Sequence, residues 1–472
     1  MGRNPKNRRE WFIGTAALAA AGCAVTRAGA DDTTDAAVLL VPDPSRTLFR
    51  VRMEMDVEGN VNIPANALVS KEKSIQTPLK ASSVLDWEER VLGYADDRTV
   101  EAAERFYFEG SSVTSAGKSK QSTALGKDSR HVFVRRNDSR WVLYSPETYL
   151  SGKELELLDV PASSLAIDAL LPLMAVRQGD KYSPDKSVLA KLLALASVDD
   201  SDVTGEIHEL TDERAKIHFK GKIQGSALGV PTVIDVVGKM VFDRGSMACE
   251  WLALAIREQR EIGKSEPGFD VAATIKMIRK PVDSPIRLSS IPVGAPAGPI
   301  PADRLYCELQ STPVGFATLM DRRWKIMADA PGATMLRMIE NDRGIAQCDV
   351  RRAGKLPAGK QLSMTAFVAD VRQSLGKQFG RMLESREDVN DAGLRMIRAT
   401  AQGAVEGVPV QWVFFHFTDE SGRRLFATMI VAGADLDTFA GSEIQFASSM
   451  RFVKSDDERM TEVASLPKKA SK

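Results

Sequence analysis

The chain has 472 residues, of which 43% are hydrophobic, and its 63 basic residues are balanced by 63 acidic ones. Such a length predicts two or three domains of ~150 residues each. The neutral charge gives no electrostatic reason to expect nucleic acid as a partner. Four cysteines in the whole sequence are too few for a disulfide framework.

The N-terminus has the layout of a secretory signal. A basic head, residues 1–10, precedes an apolar run over residues 11–22, which is about half of the ~20 residues that a membrane-spanning helix needs. Small residues follow up to Ala30 and suit a signal peptidase. We therefore expect residues 1–30 to be a signal peptide that is cleaved after Ala30.

Two features of this segment leave the export route open. Residues 8–12 (RREWF) resemble the twin-arginine export motif, although two arginines also fit an ordinary basic head. Residues 20–23 (AAGC) resemble a lipobox with Ala where Leu is usual, which would leave Cys23 acylated and anchor the protein to a membrane. Either outcome predicts an exported protein of the periplasm or cell surface.

The mature chain is slightly acidic and has no long apolar segment. Removal of residues 1–30 leaves 58 basic and 62 acidic residues, a net charge of −4. No later stretch approaches eighteen consecutive apolar residues, so we expect no transmembrane span in the mature chain.

A proline-rich stretch, residues 281–303, divides the mature chain. Prolines at this density remove backbone donors and predict an extended linker. It separates a β-rich region over residues 31–280, with a candidate split near residue 160, from a domain over residues 304–454. Residues 455–472 form a charged tail that we expect to be disordered.

Alternation of apolar and polar residues predicts most strands of the first region. Residues 48–57 show it clearly, with Phe49 and Val51 opposite Arg50 and Arg52. Further strands are predicted at residues 83–92, 131–144 (a hairpin), 203–210, 215–223, 231–242, 249–257 and 269–277. Helices are expected at residues 163–176, interrupted by Pro172, and at residues 185–196. The pattern indicates a curved antiparallel sheet.

The second region combines predicted strands with two helices. The strands are expected at residues 323–328, 333–340, 343–351, 394–403, 408–418 and 423–432. Residues 363–383 start at a candidate cap, Ser363, and predict the strongest helix, with apolar residues at successive i+4 positions: Phe367, Val371, Leu375 and Phe379. A shorter helix is expected at residues 436–449. The fold class expected for the whole chain is α+β.

The second region resembles the PsbP-like and DcrB-like α/β fold over roughly residues 310–453. The resemblance rests on residues 316–324, the strand 344–350 (GIAQCDV), the central helix, the strand 410–415 (VQWVFF) and the final helix. It implies a small binding or accessory module, and we carry no site residue over from it. The first region is similar to periplasmic lipoprotein carriers and lipid-binding lipoproteins in strand count and export, an analogy that does not fix function.

Sequence motifs for catalysis or cofactor binding are absent. The histidines, His131, His208, His218 and His416, lie in predicted strands without metal-ligand spacing, so we interpret them as surface or packed residues. Residues 117–119 and 263–265 (both GKS) imitate the end of a phosphate-binding loop but lack its earlier glycine, and we interpret them as solvated turns. We expect no catalytic residue, no cofactor and no metal.

Two residue sets leave alternatives open. Asp86, Glu88 and Glu89 would suit a paired-carboxylate hydrolase, although such clusters usually form a solvated face in a chain with 27% charged residues. Cys307 and Cys348 are the candidate disulfide among the three cysteines left after cleavage.

The sequence favours an exported, non-enzymatic binding or accessory protein of the cell envelope, with an apolar ligand or an envelope protein as its partner. The first alternative is a periplasmic carrier of a lipid or another apolar ligand. Its groove would be lined by Phe49, Met53, Trp87, Phe219 and Ile275, although an ordinary core is the simpler interpretation of these residues. The second alternative is a hydrolase that uses scattered carboxylates. A deep apolar groove would favour the carrier and converging carboxylates the enzyme.

Overall fold

The computed structural model describes residues 37–64, 74–94, 99–137, 140–290, 299–357 and 359–455. In this part of the chain 57% of residues are in strands and 14% in helices, and the ladders between its strands are antiparallel. The expected α+β class is therefore wrong, and the protein is β-rich. Of the segments expected to be helical, residues 163–176 form turns and residues 379–383 belong to a strand.

Some sequence predictions lie outside the described residues. These are the signal peptide with Ala30 and Cys23, residues 291–298 of the proline-rich stretch, and the charged tail from residue 456 onward.

Thirteen strands of the first region form one sheet. They are β1 Leu48–Pro64, β2 Ser74–Tyr94, β3 Val100–Ala116, β4 Ser119–Ala124, β5 His131–Asn137, β6 Arg140–Tyr144, β7 Lys181–Tyr182, β8 Ser197–Ser201, β9 Thr204–Leu210, β10 Arg214–Ala227, β11 Val230–Asp243, β12 Ala248–Arg260 and β13 Gly268–Pro281. Their order is β6-β5-β3-β2-β1-β13-β12-β11-β10-β9-β7, with β4 beside β3 and β8 beside β10. The strands predicted in this region are confirmed, but β3, β4, β7 and β8 were missed.

Alternation along the strands gives this sheet one apolar face. Val51 and Met53 of β1 are buried, while Arg52 and Glu54 are exposed. Met53 stands opposite Leu85 of β2 and Met277 of β13 in the register of the sheet. Because opposite residues share a face, the apolar rows of neighbouring strands join into one core.

Residues 150–195 pack against this apolar face. They include α1, Gly152–Leu158, which begins with a capping box between Ser151 and Glu154, and α2, Lys186–Leu192, which is capped by Asp185. The helix expected at residues 163–176 is wrong, because that segment forms turns and one 3₁₀ turn, Asp168–Leu170. Pro172 cannot continue a helix, and the consecutive residues before it are buried rather than divided between two faces.

The second region contains two further sheets. Their strands are β14 Tyr306–Ser311, β15 Phe316–Asp321, β16 Trp324–Ala330, β17 Ala333–Glu340, β18 Arg343–Ala353, β19 Phe379–Val389, β20 Arg395–Val405, β21 Val408–Thr418, β22 Arg424–Ala432 and β23 Arg451–Phe452. The larger sheet has the order β16-β17-β18-β22-β21-β20-β19, and the smaller one β14-β15-β23. The six strands predicted here are confirmed, whereas β14, β15, β19 and β23 were missed.

Helices cover both faces of the seven-stranded sheet. Helix α3, Met364–Leu375, starts at the Ser363 cap and packs on Ile397 and Trp412. The predicted helix was too long, because Gly376, with a φ of 50°, ends α3 and β19 follows. The helix predicted at residues 436–449 is present as two pieces, α4 Leu436–Phe439 and α5 Ser442–Ser449, and α5 packs on the opposite face of the sheet.

The two regions meet at the turn between β17 and β18. The Asp342 carboxylate in this turn accepts hydrogen bonds from the backbone N–H groups of Lys264, Ser265 and Glu266, at 2.6, 2.7 and 3.1 Å. A Cβ atom at Gly263 would lie 2.4 Å from Asp342 Oδ1, so glycine permits this close approach. The turn thus fastens the second region to the loop between β12 and β13.

The described helices are all too short or too polar to cross a membrane.

Candidate functional site

Four charged side chains lie inside the core of the thirteen-stranded sheet. Glu89 and Arg279 are 0% exposed, Asp168 is 4% exposed and Arg105 is 6% exposed. Charged residues are almost never this deeply buried unless they are paired. We name these four side chains the polar core.

Glu89 is the centre of the polar core. Its Oε2 atom accepts hydrogen bonds from Arg105 Nε at 2.8 Å, from Ser164 Oγ at 2.7 Å and from Trp87 Nε1 at 3.2 Å. Burial would raise the pKa of Glu89, but Arg105, Arg279 and these donors outweigh it and hold that pKa below its usual range. Glu89 is therefore ionised at neutral pH.

Arg279 forms the second ion pair of the polar core. Its Nη1 atom lies 3.0 Å from Asp168 Oδ2, and its guanidinium carbon lies 3.6 Å from the centre of the Phe49 ring. Burial, followed by the charge of Asp168, raises the pKa of the neighbouring Tyr94 to about 12.

A cavity of about 230 Å³ lies between the sheet and residues 159–194. We name it the outer chamber. Its walls are mainly apolar and include Leu193, Ala227, Leu228, Ile234, Ile256, Val271 and Ala273. An apolar cavity of about 150 Å³ is enough to bind benzene in another protein, so the outer chamber has room for a small apolar group.

A smaller cavity of about 60 Å³, the inner chamber, adjoins the outer one. Arg140, Asp159 and Ala194 line both chambers. The inner chamber reaches the polar core, because Trp87, Arg105, Tyr107, Ser164 and Lys191 also line it. The outer chamber is thus mainly apolar, and the inner chamber is lined by polar side chains where it reaches Arg105.

Charged side chains lie where the two chambers meet and along the outer one. Burial raises the pKa of Asp159, and the charges of Arg140, Lys325 and Arg322 only partly offset this effect. Arg260 and Glu258, which also line the outer chamber, pair at 2.7 Å. Lys325 and Arg322 belong to the second region, so the cavity lies near the contact between the two regions.

The carboxylates singled out in the sequence do not converge on a cleft. Asp86 pairs with Arg50 at 2.8 Å. Glu88 is buried and accepts three backbone N–H groups from residues 286–288, at 2.6 to 2.9 Å. Glu89 alone reaches the polar core. These acids therefore serve as fixed partners of arginine and backbone groups.

The five residues proposed to line a groove are buried in the core. Met53 and Trp87 line the inner chamber, whereas Phe49, Phe219 and Ile275 line neither chamber. Three of the five residues are therefore ordinary core residues, as the simpler interpretation held. The walls of the outer chamber are formed by other side chains.

The histidines lie in strands as predicted. His131 is held between Glu104 and Glu147, at 3.0 and 3.1 Å, and His208 stacks on His218 with ring centres 4.1 Å apart. Burial lowers the pKa of His416 to about 4. Among the residues that the structure describes, no three His, Cys, Asp or Glu side chains form a group that could hold a metal ion.

Cys249, Cys307 and Cys348 are free, buried thiols in the structure. The candidate disulfide between Cys307 and Cys348 is not formed there. Burial raises the pKa of both thiols, which makes them poor nucleophiles.

Sequence reasoning missed Arg105, Ser164, Asp168 and Arg279. One signal was available for the polar core: Leu85, Trp87, Glu89 and Val91 alternate along β2 and are all buried. A charged residue in such an apolar row must have a buried partner. The identity of that partner could not be derived, because Arg105 lies on another strand.

No protein-family model and no curated protein matches the chain. Similar solved structures include a protein from Bacteroides thetaiotaomicron VPI-5482, at 8% identity and a TM-score of 0.22, covering 31% of this chain and 47% of that one. The chain therefore spans about half the length of that protein. The cyanobacterial PsbP protein from Synechocystis sp. PCC 6803 is 16% identical with a TM-score of 0.25, over 34% of this chain and 99% of that one.

A protein of unknown function from Pseudomonas aeruginosa is 12% identical with a TM-score of 0.17, over 35% of this chain and 99% of that one. The resemblance to PsbP-like and other small α/β proteins is thus distant. It carries no functional argument here.

Proposed function

We propose that the protein is an exported, non-catalytic binding protein of the cell envelope that holds a small apolar ligand in the outer chamber. The main observation in support of this proposal is the outer chamber, a cavity of about 230 Å³ with mainly apolar walls against the sheet. Clefts with apolar walls and a few convergent polar groups are the usual form of small-molecule sites. Export is supported by the sequence of residues 1–30.

The contacts of the buried acids also favour binding over hydrolysis. Glu89 and Asp168 each pair with an arginine, and neither lines one of the two chambers. Of the two carboxylates that line the outer chamber, Asp159 and Glu258, the latter pairs with Arg260 at 2.7 Å. A retaining or inverting hydrolase needs two carboxylates that face each other across the substrate.

We further propose that the second region is a PsbP/DcrB-like accessory module. Support comes from the sequence pattern and from the seven-stranded sheet with α3 on one face and α5 on the other. Its contact through Asp342 places it beside the cavity-bearing sheet.

One pair of variants on β13 tests the binding proposal. Ala273 lines the outer chamber, whereas its neighbour Ala272 is exposed on the other face of the sheet. Ala273→Leu fills part of the chamber and should weaken binding of an eight-carbon probe at least tenfold in calorimetric titration. Ala272→Leu adds the same side chain outside the chamber and should bind like the wild type.

The probes are octan-2-one, octanoate and octylammonium, each titrated separately. The proposal is contradicted if none of them binds the wild-type protein, or if Ala272→Leu and Ala273→Leu lower the affinity equally.

A further inference from the structure

The inner chamber has unused hydrogen-bond donors. Arg105 donates from Nε to Glu89, from Nη1 to the Tyr107 hydroxyl at 3.2 Å and from Nη2 to Ser164 at 3.1 Å. A guanidinium has five N–H donors, so two of them remain. Arg105 and Tyr107 both line the chamber.

The Tyr107 hydroxyl is a further donor. It accepts the bond from Arg105, and within the described residues no acceptor receives its O–H. Burial raises the pKa of Tyr107, so the hydroxyl keeps its proton at neutral pH. Tyr107 is 1% exposed, and a buried O–H without an acceptor is destabilising until a ligand oxygen accepts from it.

The Ser164 hydroxyl oxygen and Glu89 Oε2 are already engaged, and Glu89, whose Oε1 atom is buried without a partner among the described residues, does not line the inner chamber. Glu89 Oε2 receives three donors, and the Ser164 hydroxyl donates to Glu89 while it accepts from Arg105. Lys191, which contributes only donors, bonds to Thr99 Oγ1 at 3.3 Å. The side chains that line the inner chamber beside the polar core are therefore hydrogen-bond donors towards a bound ligand.

The size of the inner chamber limits that group. A water molecule needs roughly 10–15 Å³ of such space, so about 60 Å³ holds a head group of a few heavy atoms. The remainder of the ligand must extend past Arg140 and Asp159, which line both chambers, into the apolar outer chamber.

From this geometry we infer that the ligand is an amphiphile whose head is an oxygen acceptor, a carbonyl or carboxylate, bound by Arg105 and Tyr107 in the inner chamber with its apolar part in the outer chamber. This inference rests on the proposed function. It assigns the ligand an orientation and a head-group chemistry.

Probes of equal chain length test the head group. Octan-2-one and octanoate carry acceptor oxygens, while octylammonium carries donors alone. Calorimetric titration of the wild-type protein should give at least tenfold tighter binding for one or both acceptor probes than for octylammonium. Equal or tighter binding of octylammonium overturns the inference while leaving the proposed function standing, and no binding by any probe overturns both.

A variant of Tyr107 tests where the head group of the ligand binds. Tyr107→Phe removes the unused O–H and should weaken the favoured acceptor probe about three- to tenfold, with little change for octylammonium. Tyr144→Phe is the matched control, because Tyr144 is also buried but lines neither chamber, and its hydroxyl has no hydrogen-bond partner among the residues that the structure describes. If both variants bind the acceptor probe like the wild type, the head group does not reach Tyr107. Should Tyr107→Phe fail to fold, the probe series on the wild-type protein decides alone.

Discussion

At the scale of single residues, Glu89 combines complete burial with a full negative charge. Arg105 is its nearest cation, and both side chains lie within the apolar face of the sheet. Removing one partner of a buried pair leaves an uncompensated charge, which typically costs ~3–5 kcal/mol. Glu89→Gln should therefore lower the free energy of unfolding by about this amount in urea denaturation.

A surface pair provides the control for Glu89→Gln. Glu58 and Lys80 form an ion pair of similar length, 2.9 Å, but their side chains are 72% and 71% exposed. Glu58→Gln should cost at most about 1 kcal/mol. A cost for Glu89→Gln as small as that for Glu58→Gln would show that the polar core does not depend on this ion pair.

The buried histidine His416 makes stability depend on pH. Its pKa is about 4 in the folded protein and ~6.5 when unfolded, so the unfolded chain binds the proton more tightly. The stabilisation is fully present above pH ~6.5 and is lost as the pH falls towards 4. His416→Phe should flatten the decline in urea stability over this range, and an unchanged slope would contradict the assignment.

The residue-scale chemistry was only partly predictable. Alternation along β2 placed Glu89 in an apolar row, yet its neighbours Asp86 and Glu88 made the group look like a solvated face. The pairing with Arg105 depends on the register between β2 and β3, and β3 itself was not recognised from the sequence.

At the scale of elements, the turn between β17 and β18 fastens the two regions. Burial would raise the pKa of Asp342, but three backbone N–H groups outweigh it and hold that pKa below its usual range. The ionised form therefore stabilises the contact above pH ~4, and this stabilisation is lost as the pH falls through the folded pKa.

Replacing Asp342 should loosen one loop selectively. In Asp342→Ala the N–H groups of residues 264–266 lose their acceptor, so their hydrogen–deuterium exchange should rise at least tenfold. Glu406→Gln changes an acidic residue in the exposed turn between β20 and β21 and should leave residues 264–266 protected. Unchanged exchange in Asp342→Ala would contradict this account of the docking contact.

Strands were predicted correctly where apolar and polar residues alternate regularly in the sequence. Strands with regular alternation, such as β1 and β10, were predicted because each buries one face. Residues 263–265 were interpreted as a solvated turn, whereas their backbone holds a carboxylate from a strand pair almost eighty residues away. Local sequence contains no information about such a distant acceptor.

At the scale of the whole molecule, the cavity is assembled from distant parts of the chain. Ala194 follows α2, Ala227 ends β10, and Val271 and Ala273 belong to β13. Each of these residues looks like an ordinary core residue in the sequence. The space between them exists because residues 150–195 cover the sheet incompletely, which depends on packing rather than on pattern.

The central claim is that this space holds an apolar ligand, and native mass spectrometry of the protein purified from its natural envelope fraction tests it most directly. We predict a retained small molecule that carries a carbonyl or carboxylate and an apolar chain, and its loss from Ala273→Leu but not from Ala272→Leu. A protein that is empty when isolated and that binds none of the three eight-carbon probes would contradict the account.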